Sequence, residues 1–361
     1  MRFTINFTTL VFSFSSLMFC AFSAAEQRNT DAFLIGEINI ILSEQKKNEP
    51  GINVLIRKHN EVIFKASKGI ANFANTERIS SATGFRIGSI SKPFTALAIM
   101  QLVEREKLSL ESEARSYFPQ LSESWKDVTI KHLLSHRVSL SKDFFSDSNL
   151  SLANGSTNHE LIKFLSTESV DVRALAFDEA VYCNSCYVLL AEIISKVSGM
   201  GFAAYMRDNI FIPAGMQNSQ IIEKGKRLQP SDALNYAKTE TFFGIKQYTT
   251  GAMAQVSSID DFNNFIEALK QGNIVSKATL NLMTQVHSDA GQRRRIPHPN
   301  ACKAMGRNFN SHSIRGALIH GNPRKSRPWL FSGTVALHFD AGRDRLLRWH
   351  HHRRPARFGP I

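Results

Sequence analysis

The sequence predicts a mixed α/β fold of the α+β type. Three observations carry that prediction: an early hairpin signal between residues 51 and 66, a long middle in which apolar residues recur at helical spacing, and a mixed end. A chain of 361 residues has room for one large domain or two lobes around a sizeable core.

Met1 to Ala25 reads as a secretory leader. Arg2 gives it a positive start, Leu10 to Phe22 is mostly apolar, and Ser23-Ala24-Ala25 suits cleavage, so the mature chain is expected to begin near Glu26. A membrane span needs about 20 apolar residues, and this core is shorter and interrupted by serines. Cys20 follows the bulky Phe19, which argues against lipid attachment there. Beyond the leader no apolar run is long enough to cross a bilayer, so the expected location is the periplasm or the exterior, with no transmembrane segment in the mature chain.

From Phe33 to Glu44, the residues Leu34, Ile38, Ile41 and Leu42 share one face and predict a helix. Gly51 to Arg57 and Glu61 to Ala66 alternate around His59-Asn60 and predict a hairpin, and Gly69 to Phe73 follows toward Phe85. Pro93 to Lys107 predicts a long helix buried on one face through Phe94, Leu97, Ala98 and Leu102. Thr129 is the expected N-cap of a helix running to His136, and His136 itself is read as a structural hydrogen-bonding group. Ser141 to His159, rich in serine, asparagine and aspartate, reads as a loop. Val188 to Val197 is a strongly periodic helix closed by Ser198-Gly199, and Ile210 to Met216 reads as a turn with an apolar anchor. Thr249 to Ala254 leads through Ser257-Ser258, with Ser258 as cap, into a helix from Asp260 to Leu269; Lys277 to Val286 adds a short one.

The stretch that concentrates chemistry is Phe85 to Thr95. Ser89 stands where an extended segment becomes a helix, after the small Gly88, and Lys92 lies one turn on. A buried amine in that place loses its proton readily and can activate the hydroxyl. The same three-residue spacing occurs at Ser43 with Lys46 and at Ser139 with Lys142, but neither pair has the glycine before it and the apolar helix after it. No metal-ligand spacing stands out before residue 290, and no cofactor is expected. Cys183, Cys186 and Cys302 remain after the leader, an odd number without a disulfide framework; Cys183 and Cys186 are read as small buried residues at a helix start rather than as a bonded pair.

Charge divides the chain. Residues 292–361 hold 15 of the 44 lysines and arginines and only 2 of the 31 acids, so they carry the whole formal charge of +13, and they hold 7 of the 12 histidines. This composition reads as a diverged or frame-shifted end rather than as a surface for nucleic acid, and no nucleic-acid partner is expected. The organisation expected is therefore a leader over 1–25, a catalytic domain over 26–291, and a basic segment over 292–361 in place of the last sheet strands.

Several stretches together resemble the serine β-lactamase and penicillin-binding protein superfamily, in its class C β-lactamase-like branch. They are Phe85 to Thr95, Thr129 to His136, Tyr182-Cys183-Asn184, Ile210 to Met216 and Gly251 to Phe262, covering most of residues 30 to 290. The resemblance implies an antiparallel sheet flanked by helices with an inserted, mainly helical lobe, and a serine hydrolase acting through an acyl-enzyme on β-lactams, D-alanyl peptides or small esters. It implies Ser89 as nucleophile, Lys92 as its activator, Tyr182 as proton shuttle and Asn184 as a substrate-binding group that also holds the lysine. The partner implied is a small-molecule or peptidoglycan-type substrate. The family's Lys/His-x-Gly strand has its nearest counterpart in His320-Gly321-Asn322, with glycine one position early, and a rival in Ser332-Gly333-Thr334. Departures from the family pattern are Glu106 in place of a helix-ending glycine, Val138-Ser139 in place of Ser-Gly, and the lack of Pro-Gly in Arg173 to Phe177. They leave open a catalytically impaired protein that keeps the cleft for peptidoglycan-like ligands.

Overall fold

The computed structural model describes residues 31–285, apart from 59, 74–75, 146–154, 168–169, 227, 230–231, 234–235, 238–239 and 242–247, together with the strand at 334–339. Helix α1 covers residues 31–44, and Leu42 turns inward with Val54 and Ile56. The hairpin forms as its alternation predicts: β1 (Ile52–Lys58) pairs antiparallel with β2 (Glu61–Lys68). Asn60 takes a left-handed φ of 73° in the turn, a conformation asparagine tolerates.

After the short strands β3 (Ile70–Asn72) and β4 (Glu77–Arg78), β5 (Phe85–Arg86) leads into α2 (Ser91–Glu104). This helix differs from the one-sided helix that its spacing suggests. Ser91, Lys92 and every residue from Phe94 to Leu102 are buried, so it runs through the core instead of lying on it. It packs against α6 (Asn184–Ser198), itself buried along most of its length. Phe94 stacks on Phe265 with ring centroids 4.3 Å apart and meets Phe211 and Phe262 edge-on at 6.3 and 6.0 Å. The helix ends with Glu106 at a φ of 55°, where the Lys107 and Glu106 amides reach back to the carbonyls of Leu102 and Val103.

The helical region continues with α3 (Ala114–Tyr117) and α4 (Ile130–Leu134). The expected cap holds: Thr129 Oγ1 accepts the His132 amide while His132 Nδ1 accepts the Thr129 amide. The strands β6 (Val138–Leu140) and β7 (Val172–Ala174) form an antiparallel pair. Between them α5 (Asn158–Leu165) starts inside the segment read as loop, with Thr157 and Glu160 forming a capping box. The turn expected over Ile210–Met216 forms, with Ile210, Phe211 and Met216 buried as its apolar anchor. Helix α7 (Phe202–Met206) runs on into a wider turn at Arg207–Phe211, and Gly215 closes it.

The strand β8 (Gln220–Ile221) precedes the small hairpin β9 (Tyr236–Ala237) and β10 (Glu240–Thr241). The strand β11 (Gln255–Ser257) then pairs antiparallel with both β5 and β8. Ser258 caps α8 (Ile259–Gln271) by accepting the Asp261 amide at 3.1 Å, and Ser276 caps α9 (Lys277–Met283). From the basic segment only β12 (Thr334–Phe339) is described. It pairs with β1 in parallel, from Asn53 with Thr334 to Lys58 with Phe339, and so extends the first sheet in the order β12, β1, β2. The predicted leader and the His320-Gly321-Asn322 candidate lie outside the described residues. Among the described residues no single helix is long and apolar enough to cross a membrane.

Candidate active site

Two side chains, Lys92 and Tyr182, meet at one oxygen, Ser89 Oγ. Gly88 adopts a φ of 54° and turns the chain sharply out of β5, so that Ser89 falls in a single 3-10 turn before α2. Ser91 Oγ closes this turn on the Gly88 carbonyl at 2.7 Å, and the Ile87 amide anchors it to the Gln255 carbonyl at 3.1 Å. The first turn of a helix leaves its amides without internal acceptors, which makes the Ser89 N–H available to a developing oxyanion.

Lys92 projects from the first turn of α2 and is almost wholly enclosed. Its Nζ lies 3.1 Å from Ser89 Oγ, 2.8 Å from Asn184 Oδ1 and 3.0 Å from the carbonyl oxygen of Ala252. No carboxylate is among these partners, and burial alone lowers the amine to about 7 from the usual lysine value. The three contacts suit a neutral amine. Asn184 Oδ1 and the Ala252 carbonyl can only accept and take its two hydrogens, which leaves the lone pair for the hydroxyl of Ser89.

Tyr182 donates its hydroxyl to Ser89 Oγ at 2.7 Å, and its ring lies 4.8 Å from Lys92 Nζ. Burial raises this phenol, opposed in part by the bond to Ser89, so Tyr182 rests as a proton donor. The phenolate character that a base would need is not favoured here. His136 sits behind Tyr182, fully buried, with ring centroids 4.9 Å apart. Burial and the neighbouring Lys92 lower it to about 3, so it is neutral, and its Nδ1 accepts the Cys183 amide at 3.1 Å. This is the structural hydrogen-bonding role expected of it.

The cysteines depart from the sequence reading. Cys183 and Cys186 are joined in a disulfide at the start of α6, where the spacing suggested two inert thiols. The segment 249–254, to which sequence reasoning gave no chemical role, supplies the Ala252 carbonyl. Gly251 allows this segment to sit directly on α6: it has a φ of 86°, and a Cβ there would lie 2.2 Å from the Tyr187 carbonyl oxygen. Its own carbonyl accepts Thr95 Oγ1 at 2.8 Å, and Asn158 Oδ1 accepts the Thr250 amide at 2.8 Å. A carbonyl acts through its backbone, so no residue type marked it in the sequence.

The competing Ser-Lys spacings have other partners. Ser43 Oγ bonds the Ile40 carbonyl and Lys46 pairs with Glu49, while Ser139 belongs to β6. His320 and Gly321 lie outside the described residues, as do Ser332 and Gly333; Thr334 opens β12 beside β1. Among the described residues no group of histidine, cysteine and carboxylate side chains could hold a metal ion.

Comparison with known proteins agrees with this geometry. Penicillin-binding protein 4* of Bacillus subtilis (strain 168) is 29% identical over 255 residues, which are 65% of this chain and 55% of that protein. The putative penicillin-binding protein PbpX of the same organism is 26% identical over 63% of this chain and 57% of its own length. The chain thus spans little more than half the length of these relatives. Among solved structures, the octameric penicillin-binding protein homologue from Pyrococcus abyssi matches with a TM-score of 0.58 and 27% identity, over 70% of this chain and 60% of that one. EstCE1, a hydrolase with promiscuous acyltransferase activity, shares the fold with a TM-score of 0.56 at 20% identity, over 72% of this chain and 78% of its own. The Beta-lactamase family model matches residues 34–317, which take in Ser89, Lys92, Tyr182 and Asn184. With that match across most of its length, the chain belongs to the beta-lactamase family, within the serine β-lactamase and penicillin-binding protein superfamily of serine hydrolases.

Proposed function

We propose that the protein is an exported serine hydrolase that works through an acyl-enzyme on Ser89 and acts on β-lactams, D-alanyl peptides or small esters. The observation that carries this reading is the approach of both Lys92 Nζ and Tyr182 OH to Ser89 Oγ. In the proposed reaction neutral Lys92 takes the Ser89 proton as Oγ bonds to the acyl carbon. The carbonyl electrons move onto its oxygen, toward the Ser89 amide. When the tetrahedral intermediate collapses, the bond to the leaving group breaks and the Tyr182 phenol gives that group its proton. The Lys92 ammonium returns a proton to the phenolate. Water then adds to the ester and releases the acid, with the same groups moving protons in reverse.

Magnitude supports Lys92 as the base. An unperturbed lysine is amine in about one molecule in 2,500 at pH 7, whereas a group near 7 is about half amine. The substrate range rests on the resemblance of the motifs around Ser89 and Tyr182 and on the relatives by sequence, which are penicillin-binding proteins. The leader-like pattern of Met1 to Ala25, read from sequence alone, is what supports export.

Exposure to a penicillin and, separately, to a fluorophosphonate followed by intact-mass and peptide mass spectrometry tests the reading. An adduct on Ser89 that disappears in Ser89→Ala is expected. No adduct from either reagent overturns acyl-enzyme chemistry and leaves a binding protein for peptidoglycan-like ligands, which equilibrium binding to Ser89→Ala would then reveal.

A further inference from the structure

We propose that the Cys183–Cys186 disulfide is a positioning device for acylation: it holds Tyr182 and Asn184 on Ser89 and Lys92, so acyl transfer runs at full rate only while the pair is oxidised. This rests on the acyl-enzyme reading and concerns the same site.

The bond is placed where it acts on both residues. Cys183 directly follows Tyr182, and the short loop closed by the disulfide encloses Asn184 and Ser185. Tyr182 donates to Ser89 Oγ, and Asn184 Oδ1 accepts from Lys92 Nζ. His136 holds the same segment from the other side, its carbonyl accepting the Val181 amide at 2.9 Å and its Nδ1 accepting the Cys183 amide. With the main chain fixed on His136 and the Cys183 side chain fixed to α6, Tyr182 retains only its own side-chain torsions.

Neither of the usual reasons for a cysteine here suffices. Cys183 is the N-cap of α6 and its sulfur accepts the Cys186 amide. Sulfur is a weak acceptor, and serine, threonine, aspartate or asparagine caps better. Global stabilisation is also a poor reason, because a disulfide constrains the unfolded chain least when its loop is short. What cysteine adds over serine is a covalent tie from the residue after Tyr182 to Cys186 in the first turn of α6.

Reduction gives the S–S bond two electrons and two protons and leaves two thiols. A dithiol supplies both from its own S–H groups, while a phosphine supplies the electrons and a water molecule the protons, its oxygen going to phosphorus. A dithiol reductant leaves as its own disulfide, a phosphine as its oxide. Cys183 regains its rotamers, and Tyr182 and Asn184 move relative to Ser89, in the turn before α2, and to Lys92, which α2 holds in the core. A displacement near 1 Å in such a group costs up to about a hundredfold in rate. Both cysteines are buried, so a variant is the first probe and a reductant the second.

The test compares the wild type with Cys183→Ser/Cys186→Ala, which keeps an oxygen at the cap. Two quantities are read: the rate of Ser89 labelling by a fluorophosphonate, and the titration of Lys92 followed by NMR of its labelled side chain. The variant is expected to melt cooperatively, to label about ten- to a hundredfold more slowly, and to show Lys92 titrating at higher pH because Asn184 no longer encloses the amine. Unchanged labelling with an unchanged Lys92 titration overturns the proposal. Should the variant fail to fold, wild type reduced by a phosphine gives the same two readings. If wild type never labels, the acyl-enzyme reading fails, and the Lys92 titration decides this proposal alone: a shift on loss of the disulfide supports it, and no shift overturns it.

Discussion

The hydroxyl of Tyr182 donates to Ser89 Oγ across 2.7 Å, from a residue 93 positions further along the chain. Because burial keeps Tyr182 a phenol, the proposed reaction has it give a proton rather than take one from the resting serine. Tyr182→Phe keeps the ring against His136 and removes the hydroxyl that carries that proton. Turnover should fall by about 10² to 10⁴, with thermal unfolding unchanged within about 0.5 kcal/mol. Steady-state rates beside a melting curve check this, and equal turnover would remove Tyr182 from the chemistry.

The acylation rate should follow the free amine of Lys92. It is expected to be flat above pH 7 and to fall about tenfold per unit well below it, because the protonated form has no lone pair for Ser89. Single-turnover labelling across pH 5 to 9 measures the profile. A flat profile, or an inflection near the ordinary lysine value, would contradict the role given to Lys92.

The same shift predicts a stability effect of definite sign. The folded value near 7 lies below the unfolded value of about 10.4, so between the two the unfolded chain binds the extra proton and stability rises with pH. Relative to Lys92→Met, wild type should gain about 1 kcal/mol per pH unit through that window and nothing below it. Urea unfolding at pH 6, 8 and 9.5 makes the comparison.

Glu106 occupies the left-handed position that ends α2, where a side chain is unfavourable and glycine is at ease. Glu106→Gly should stabilise the protein by about 0.5–1 kcal/mol without changing turnover. A lower melting temperature would show that the Glu106 side chain makes compensating contacts.

Gly251→Ala should do the opposite, and in the site itself. The new methyl group would meet the Tyr187 carbonyl oxygen and Ala191 Cβ, 2.2 and 2.7 Å from an ideal Cβ, at a φ that alanine avoids. A loss of about 2–3 kcal/mol is expected, together with slower acylation, because Ala252 must move away from Lys92. Unfolding and labelling rates on one preparation test both effects.

Legibility in the sequence followed the range of the interactions involved. Thr129 and Ser258 were readable as caps because a cap is a local exchange between a hydroxyl and an amide three residues on. The hairpin and the Ser89–Lys92 pair were readable for the same reason. The core position of α2 was not. Ser91, Lys92, Thr95 and Gln101 read as the polar side of a one-faced helix, and they are buried only because distant backbone carbonyls and the turn before the helix take their hydrogen bonds. Helix α5 was hidden because Thr157, Asn158 and Glu160, which build its start, also belong to the polar vocabulary of loops. The disulfide was hidden because two cysteines three residues apart at a helix start read alike whether bonded or free. The sequence offers no sign for the Ala252 carbonyl, which any residue could present. Tyr182 and Asn184 became specific candidates only through resemblance, as their distance from Ser89 along the chain exceeds any local rule.

Phe94 lies two residues beyond Lys92 and is stacked in the same core that organises α8 and the turn at Arg207–Phe211. The Lys92 amine is therefore carried by a helix turn that is itself locked by aromatic packing. Mutational drift in that core should show itself as weakened activity well before the fold is lost, because small shifts of α2 displace the amine. Exposed side chains such as those of Phe177 and Val181 lie outside that packing, and their exchange should leave α2 where it is.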